Sequence, residues 1–442
     1  MFRRILIANR GEVVARIIRT CQRMGIETVI VASKADMDLS YLKLADKVIN
    51  IGQTRAYLDM DLIIAAAKDN KCSAIHPGWG FLSENPIFAA RCEAVGITFI
   101  GPSPMAMRSM ADKATARSTM TALGLAPIPG WKEKILTYSD AEIAASHVGY
   151  PLLLKAVSGG GGRGMRRVMT PEGLDEAFHS ASAEAQSAFA DPSLYAERLI
   201  IGGRHIEFQI ISDGESALVI GARECSMQRR HQKLLEESPS VAVSDAQYIS
   251  LVEQIESVVL ALGYRGAGTM EMLRDGLGNI WFMEMNTRLQ VEHTISEELT
   301  GIDLVEQQLL VAANHPLSLE VSPNGHSIQC RINAEDVSRD FSPTPGTITK
   351  MQWSDAEGIR IDTHLKEGDK ISPHYDSMIA KVISTAKTRE IAITNLVKAL
   401  QESCIEGVPT TIPLHLKLLT HPAFISGDYD TNFVESHMEE LR

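Results

Sequence analysis

Glu271, Glu284 and Asn286 frame a stretch in which two apolar runs, 269–273 and 280–283, are joined by the turn-forming Asp275-Gly276-Leu277-Gly278-Asn279, the signature of a β-hairpin. A turn centred between Leu277 and Gly278 sets Glu271 directly across from Glu284. Opposed side chains on one face approach within about 5 Å at Cβ, and like charges there repel. Asn286, two residues beyond Glu284, falls on the same face and adds a neutral oxygen. Two carboxylates and an amide oxygen suit Mg²⁺ or Mn²⁺; a solvated hairpin face is the alternative, and a slip of one residue would separate the pair. The chain continues through Arg288, Gln290, Val291, Glu292 and His293. A cation, an amide and a carboxylate within an otherwise apolar region suit a small anion held beside a base.

Other stretches offer groups to a phosphate. Residues 150–168 read as two strands around a tip with five glycines in the six positions 159–164, and Lys155 ends the first strand. Such a tip can lay backbone N–H groups on phosphate oxygens, and the lysine adds a point charge. No Gly-Lys-Ser/Thr follows, so it is not a Walker A loop; a flexible linker is the alternative. His205, Glu207 and Gln209 alternate with apolar residues and share one strand face, either solvated or turned to a site. Gln228, Arg229, Arg230, His231 and Lys233 form a compact cationic run followed by Glu236 and Glu237. With no aromatic residues interleaved, it reads as an anion pocket rather than a nucleic-acid patch, or as a solvated charged loop.

The elements that must position these groups are of two kinds. In the first hundred residues, strand-like segments at 4–8 and 28–32 alternate with helix-like ones at 11–24 and 62–68, the pattern of a parallel α/β layer. The loop 8–12 holds one glycine, which rules out a dinucleotide fingerprint. Segment 74–84 runs from a strand end into His76-Pro77-Gly78-Trp79-Gly80, where an α/β sheet binds ligands, or is a structural turn. A packing helix is expected over 388–404, ended by Gly407 and Pro409. The expected organisation, α/β and α+β in several domains, is an N-terminal α/β domain over 1–112, a helical linker over 113–130, a glycine-rich lid over 131–200 and a larger α+β unit over 201–442.

A chain of 442 residues, 45% hydrophobic and 22% charged, has the material for sizeable cores. Its formal charge of −12 argues against general nucleic-acid binding. Six scattered cysteines, at 21, 72, 92, 225, 330 and 404, contain no CxxC pair and read as reduced, with neither a disulfide framework nor a zinc cluster. No apolar run suits a signal peptide or a membrane span, so a cytoplasmic location is expected.

In combination these stretches resemble the biotin carboxylases, the ATP-grasp components of biotin-dependent carboxylases. The likeness is carried by residues 7–12 (Ile-Ala-Asn-Arg-Gly-Glu), 76–85 (His-Pro-Gly-Trp-Gly-Phe-Leu-Ser-Glu-Asn), 155–165, 225–233, 264–269, 284–293, 330–336 (Cys-Arg-Ile-Asn-Ala-Glu-Asp) and 375–378 (Tyr-Asp-Ser-Met), in the family's order. The resemblance implies an ATP-grasp fold with a Rossmann-like N-terminal domain. It implies nucleotide contacts at Lys113, Lys155, Gly161, Gly162, Glu197, Ile200, His205, Gln228 and His231, and metal contacts at Glu271, Glu284 and Asn286. It implies a bicarbonate pocket of Lys233, Arg288, Gln290 and Val291, with Glu292 as the base, expected to be held ionised beside Arg288. Arg331 would stabilise the biotin enolate, with Trp79 and His205 bordering biotin. The implied cofactors are ATP, Mg²⁺ or Mn²⁺, and biotin on a carrier protein; the implied assembly is a homodimer.

Three departures stand out: Trp79 where Tyr is common, Arg198 where Lys is common, and Val157-Ser158 before four glycines. None removes a charged catalytic group. The chain has no Met-Lys dipeptide, the acceptor signature of carrier domains, so carrier and carboxyltransferase are expected on other chains. Acetyl-CoA is the expected final acceptor, with pyruvate or propionyl-CoA as alternatives. A carboxylate–amine ligase would share Lys155, Glu271, Glu284 and Asn286 but lack the Arg288-to-Glu292 set and Arg331. A nucleotide-binding regulator without turnover would release no ADP.

Overall fold

The computed structural model describes residues 1–158 and 164–442, so Gly161 and Gly162 lie outside the described residues. Strands β1 (Arg4–Ile7), β2 (Glu27–Ser33), β3 (Lys47–Gly52), β4 (Ala74–His76) and β5 (Thr98–Phe99) form a parallel sheet in the order β3-β2-β1-β4-β5. The central strands β1 and β2 are apolar on both faces because both are covered. Ile5, Ile7 and Ile30 pack with Val14 and Ile17 of helix Glu12–Arg23, while Leu6, Val29 and Val31 pack with Ile63 and Ala67 of helix Met60–Asp69. The strand order reverses between β1 and β4, which brings the loops after these two strands together at the sheet's carboxyl edge, where such sheets bind ligands. Asn9 Nδ2 fastens the two loops, donating to the carbonyls of Pro77 (2.6 Å) and Trp79 (2.7 Å). Gly78, at φ 64°, permits this closeness, since a Cβ there would lie 2.8 Å from Asn9 Nδ2.

Helices Pro104–Ala111 and Lys113–Ala122 break at Asp112, whose carboxylate accepts from the Thr115 N–H at 2.7 Å and caps the second helix. Beyond them β6 (Leu152–Ala156), β7 (Met165–Val168) and β8 (Leu194–Arg198) make a small antiparallel sheet, β7-β6-β8, backed by helices Tyr138–Val148 and Leu174–Phe189. The expected pair of strands around the glycine-rich tip is β6 and β7. Leu152 and Leu154 point into the core of this unit, so the period of two turns Leu153 and Lys155 to its open face.

The third sheet has eight strands, antiparallel throughout: β9 (Arg204–Ser212), β10 (Ala217–Arg229), β11 (Gln232–Ser238), β12 (Gly266–Arg274), β13 (Ile280–Asn286), β14 (His326–Asn333), Ile359–Thr363 and Met378–Ala386. Their order is β13-β12-β9-β10-β11-β14, then Met378–Ala386 and Ile359–Thr363. Ile206, Phe208 and Ile210 of β9 pack against Ile255, Val258 and Val259 of helix Asp245–Ala261. His205, Glu207 and Gln209 therefore face the other way, and at 6%, 0% and 0% exposure that face is buried rather than solvated. The tail helix is Arg389–Glu402. All six cysteines are unpaired, five of them buried. Among the described residues no helix is long and apolar enough to cross a membrane.

Glu237 of β11 anchors the C-terminal helices to this sheet. Its buried carboxylate accepts from His326 Nε2 (2.7 Å), Arg389 Nε (2.6 Å) and the Tyr429 hydroxyl. Burial alone would push the carboxyl up, but the bonds from His326 and Arg389 outweigh it and bring it from 4.5 down to about 2. A folded-state pKa below the unfolded one stabilises fully above about pH 4.5, and the contribution is lost as pH falls from there towards 2. It amounts to about 3 kcal/mol at neutral pH. Thermal melts between pH 2 and 6 should show the midpoint falling through this window, with Glu237→Gln lower at neutral pH and flatter across it.

Candidate active site

Three strands line up a row of carboxylates. Glu207 of β9 pairs with Glu271 of β12, and Glu271 pairs with Glu284 of β13. The hairpin prediction holds at the decisive pair, and Asn286 shares the face, its Nδ2 donating to Glu271 Oε1 at 2.7 Å. Such a row is unstable unless cations meet it. Lys113 Nζ lies 2.9 Å from Glu284 Oε2; His205 Nε2 lies 3.2 Å from Glu271 Oε2; Lys233 Nζ bonds Glu207 and lies 3.2 Å from Glu271 Oε1. Arg223, fully buried, bonds Glu207 Oε2 at 3.0 Å and Gln209 Oε1 at 2.6 Å from below. Burial raises the Glu284 carboxyl, but Lys113 overrides it and takes it down to about 2; Glu271 is likewise held low, chiefly by Lys233 and His205 against its burial. Burial lowers the His205 imidazole, but Glu271 outweighs it and the group ends raised.

The base candidate sits at the end of this row. Glu292, fully buried, accepts from Lys233 Nζ at 2.7 Å and from an Arg331 Nη at 2.9 Å. Burial would raise its carboxyl; Lys233 and Arg331 prevail and keep it low, so it is ionised at neutral pH. Lys233, bonded to both Glu271 and Glu292, joins the two groups, and Gln290 Nε2 donates to Glu271 Oε1 at 2.9 Å. The expectation that Arg288 holds Glu292 is corrected. Arg288 Nε donates to Glu84 Oε2 at 2.9 Å and another of its nitrogens to Asn286 Oδ1 at 3.0 Å. Residues 288–292 are not helical, so a spacing of four does not bring the two side chains together.

Lys113, His205, Lys233, Glu271, Glu284, Glu292 and Arg331 open on one cleft of about 1290 Å³ between the small sheet, the large sheet and the N-terminal loops, with Glu207 and Arg223 buried beneath it. Lys155, Glu197 and Ile200 line it from the small-sheet side, with Lys155 and Arg117 paired to Glu197. Gln228, His231 and Val291 line it from the large-sheet side, and Trp79 from the N-terminal loops. Every described residue to which the family resemblance assigns a role borders this cleft, whereas Arg230 of the cationic run is exposed and paired to Asp340. Two ionised carboxylates beside an amide oxygen are a donor set that fits Mg²⁺ or Mn²⁺. The basic rim above them fits a polyphosphate.

Models of known families match the chain in three parts: the biotin carboxylase N-terminal domain over residues 1–107, the carbamoyl-phosphate synthase L chain ATP-binding domain over 112–320, and the biotin carboxylase C-terminal domain over 329–436. Biotin carboxylase 1 of Bacillus subtilis is 44% identical over 445 residues, covering 99% of each chain. The chain belongs to the biotin carboxylases. It is thus an ATP-grasp ligase with biotin carboxylase activity. The biotin carboxylase–beta-gamma-ATP complex from Campylobacter jejuni superposes with a TM-score of 0.97 at 44% identity, covering 99% of both chains. The biotin carboxylase domain dimer of Hydrogenobacter thermophilus 2-oxoglutarate carboxylase, in complex with MgADP, ADP and bicarbonate, gives 0.97 at 39% identity, covering 100% of this chain and 99% of that one.

In this biotin carboxylase, sequence reasoning missed the groups that orient the site. Glu236, fully buried, takes Arg331 Nε at 2.5 Å and is held by Gln329 Nε2 at 3.0 Å. Strand alternation places Glu236 on the face opposite Lys233, but Leu234 is an extra residue in β11: Gln228 pairs with Lys233 and Met227 with Leu235. That bulge returns Glu236 to the cleft face. Glu84 and Glu207 were quoted in the motifs without roles; two cations in search of anions, Arg288 and Lys233, were the available signal.

Proposed function

We propose that this chain catalyses the ATP- and bicarbonate-dependent carboxylation of biotin through carboxyphosphate, as the first half-reaction of an acyl-CoA carboxylase. The observation that carries the reading is Glu292, ionised between Lys233 and Arg331 and joined through Lys233 to Glu271, which faces Glu284. Lys113, Lys155, His205, Gln228 and His231, with Gly161 and Gly162, contact the nucleotide, and Glu197 to Ile200 flank the adenine. Glu271, Glu284 and Asn286 hold Mg²⁺ or Mn²⁺, which supplies positive charge to the transferring phosphoryl group. Lys233, Arg288, Gln290 and Val291 cradle bicarbonate, and Glu292 takes its proton. The bicarbonate oxygen attacks the γ-phosphorus and ADP leaves; carboxyphosphate then breaks into CO₂ and phosphate. The phosphate just released takes the ureido N–H proton of biotin; Arg331, aimed by Glu236, stabilises the resulting enolate, and the ureido nitrogen bonds to the carbon of CO₂. Trp79 borders biotin. Residues 131–200 act as the lid that keeps water from the intermediate.

Biotin arrives on a carrier protein and the carboxyl group leaves to a carboxyltransferase, in a cytoplasmic assembly built on a homodimer. Acetyl-CoA, and hence fatty-acid synthesis, is the acceptor proposed. The likeness to a 2-oxoglutarate carboxylase domain supports a 2-oxo acid as the second reading. ADP release from MgATP should depend on bicarbonate and be stimulated by free biotin. Release independent of bicarbonate would sink the reading.

A further inference from the structure

Lys381 lies directly beyond the site. On strand Met378–Ala386 it pairs with Arg331 on one side and with Asp362 on the other, so its side chain shares the cleft face of the sheet. It is fully buried, yet it touches neither Glu236 nor Glu292, the carboxylates that hold Arg331. Its Nζ instead donates to the carbonyl of Val291 at 3.1 Å, lies 3.2 Å from Glu12 Oε1 and 3.6 Å from Asp362 Oδ2, and stands 5.5 Å from the centre of the Trp79 ring. Asp362 has other cations, Arg360 and Arg19 at 2.9 Å each. Glu12 has no comparable support. Neither of its buried carboxylate oxygens accepts a hydrogen bond, and Lys381 is its ion-pair partner among the described residues.

A buried ammonium is costly to keep and is a weak way to gain stability, whereas an apolar side chain of similar volume is often neutral. What the charge gains here is geometry. One cation fixes the peptide carbonyl immediately before Glu292 and sits under the indole that borders the biotin side. Its counter-ion, Glu12, begins the first helix of the N-terminal domain, so the anchor spans the two halves of the molecule.

We propose that Lys381, braced by Glu12, is a positioning residue for carboxyl transfer. By holding Val291 and Trp79 it sets the distance between the bicarbonate pocket and the biotin flank. The inference rests on the proposed function.

The test uses two variants of the full chain. Lys381→Met removes the anchor but strands Glu12. Lys381→Met combined with Glu12→Gln removes the pair together and should melt close to the wild-type temperature. In the double variant the KM for bicarbonate should rise about fivefold, the equivalent of one hydrogen bond, while the KM for ATP stays within about twofold. ADP released per carboxybiotin formed should rise as well, because CO₂ then escapes before capture. A bicarbonate KM and a coupling ratio both equal to wild type would overturn the inference, as would a parallel rise in the KM for ATP, which marks a structural role alone. Wild-type protein with no bicarbonate-dependent turnover would overturn the proposed function and this inference with it.

Discussion

Replacing Glu292 by glutamine is expected to lower bicarbonate-dependent ADP release by about 10²–10⁴-fold, the range a positioned general base contributes. The geometry specifies how the loss should look. The carboxylate is held by Lys233 at 2.7 Å and Arg331 at 2.9 Å, and an amide of the same shape keeps an acceptor oxygen for one of them. Binding of ATP should therefore survive, with the KM for ATP little changed and the deficit falling on kcat. Steady-state kinetics at saturating bicarbonate separates the two. Turnover within a factor of about five of wild type would remove Glu292 from the role of base.

The second large effect is expected at the carboxylate row. Glu271 is the junction of the site, its Oε1 accepting from Asn286, Gln290 and Lys233 and its Oε2 lying 3.2 Å from His205. Glu271→Gln should move the dependence of ADP release on Mg²⁺ to higher concentration by about 100-fold or more, since even outer-shell changes at metal sites cost 10–100-fold. Glu284→Gln should shift it in the same direction. Titration of activity against Mg²⁺ at fixed ATP reads both. An unchanged activation curve in the Glu271 variant would move the metal away from the hairpin.

These expectations rest on features that the sequence made legible to different depths. The parallel α/β layer was visible because its strands and helices carry distinct periods, and boundaries such as Glu12–Arg23 lie within a residue of those expected. The Glu271 and Glu284 pairing was reached through two offsets that cancel. The turn is centred on Leu277, where Asp275 accepts from the N–H groups of Leu277 and Asn279, and Arg274 pairs with Ile280. Continued without interruption, that register would set Glu271 against Met283. The bulge at Met283 restores Glu284 to its place, and no composition signal announced it.

Long-range partners were illegible for a plainer reason. Arg288 turns to Glu84 and Lys381 to Glu12, contacts that depend on how the N-terminal loops dock on the large sheet. Strand alternation placed His205 and Glu207 on one face but could not say that the face is covered. Burial of that face is what converts a polar stripe into a site, because charges are paired at such cost only where water is excluded.

The central claim is that a bicarbonate oxygen attacks the γ-phosphorus of ATP in the cleft where Glu292 takes the proton. The most direct measurement is mass spectrometry of the phosphate released from MgATP in the presence of ¹⁸O-labelled bicarbonate and biotin. The account predicts one labelled oxygen in each phosphate, because carboxyphosphate cleaves to CO₂ and a phosphate that retains the attacking oxygen. Phosphate free of label, with ADP still formed, would mean that water attacks instead and would contradict it.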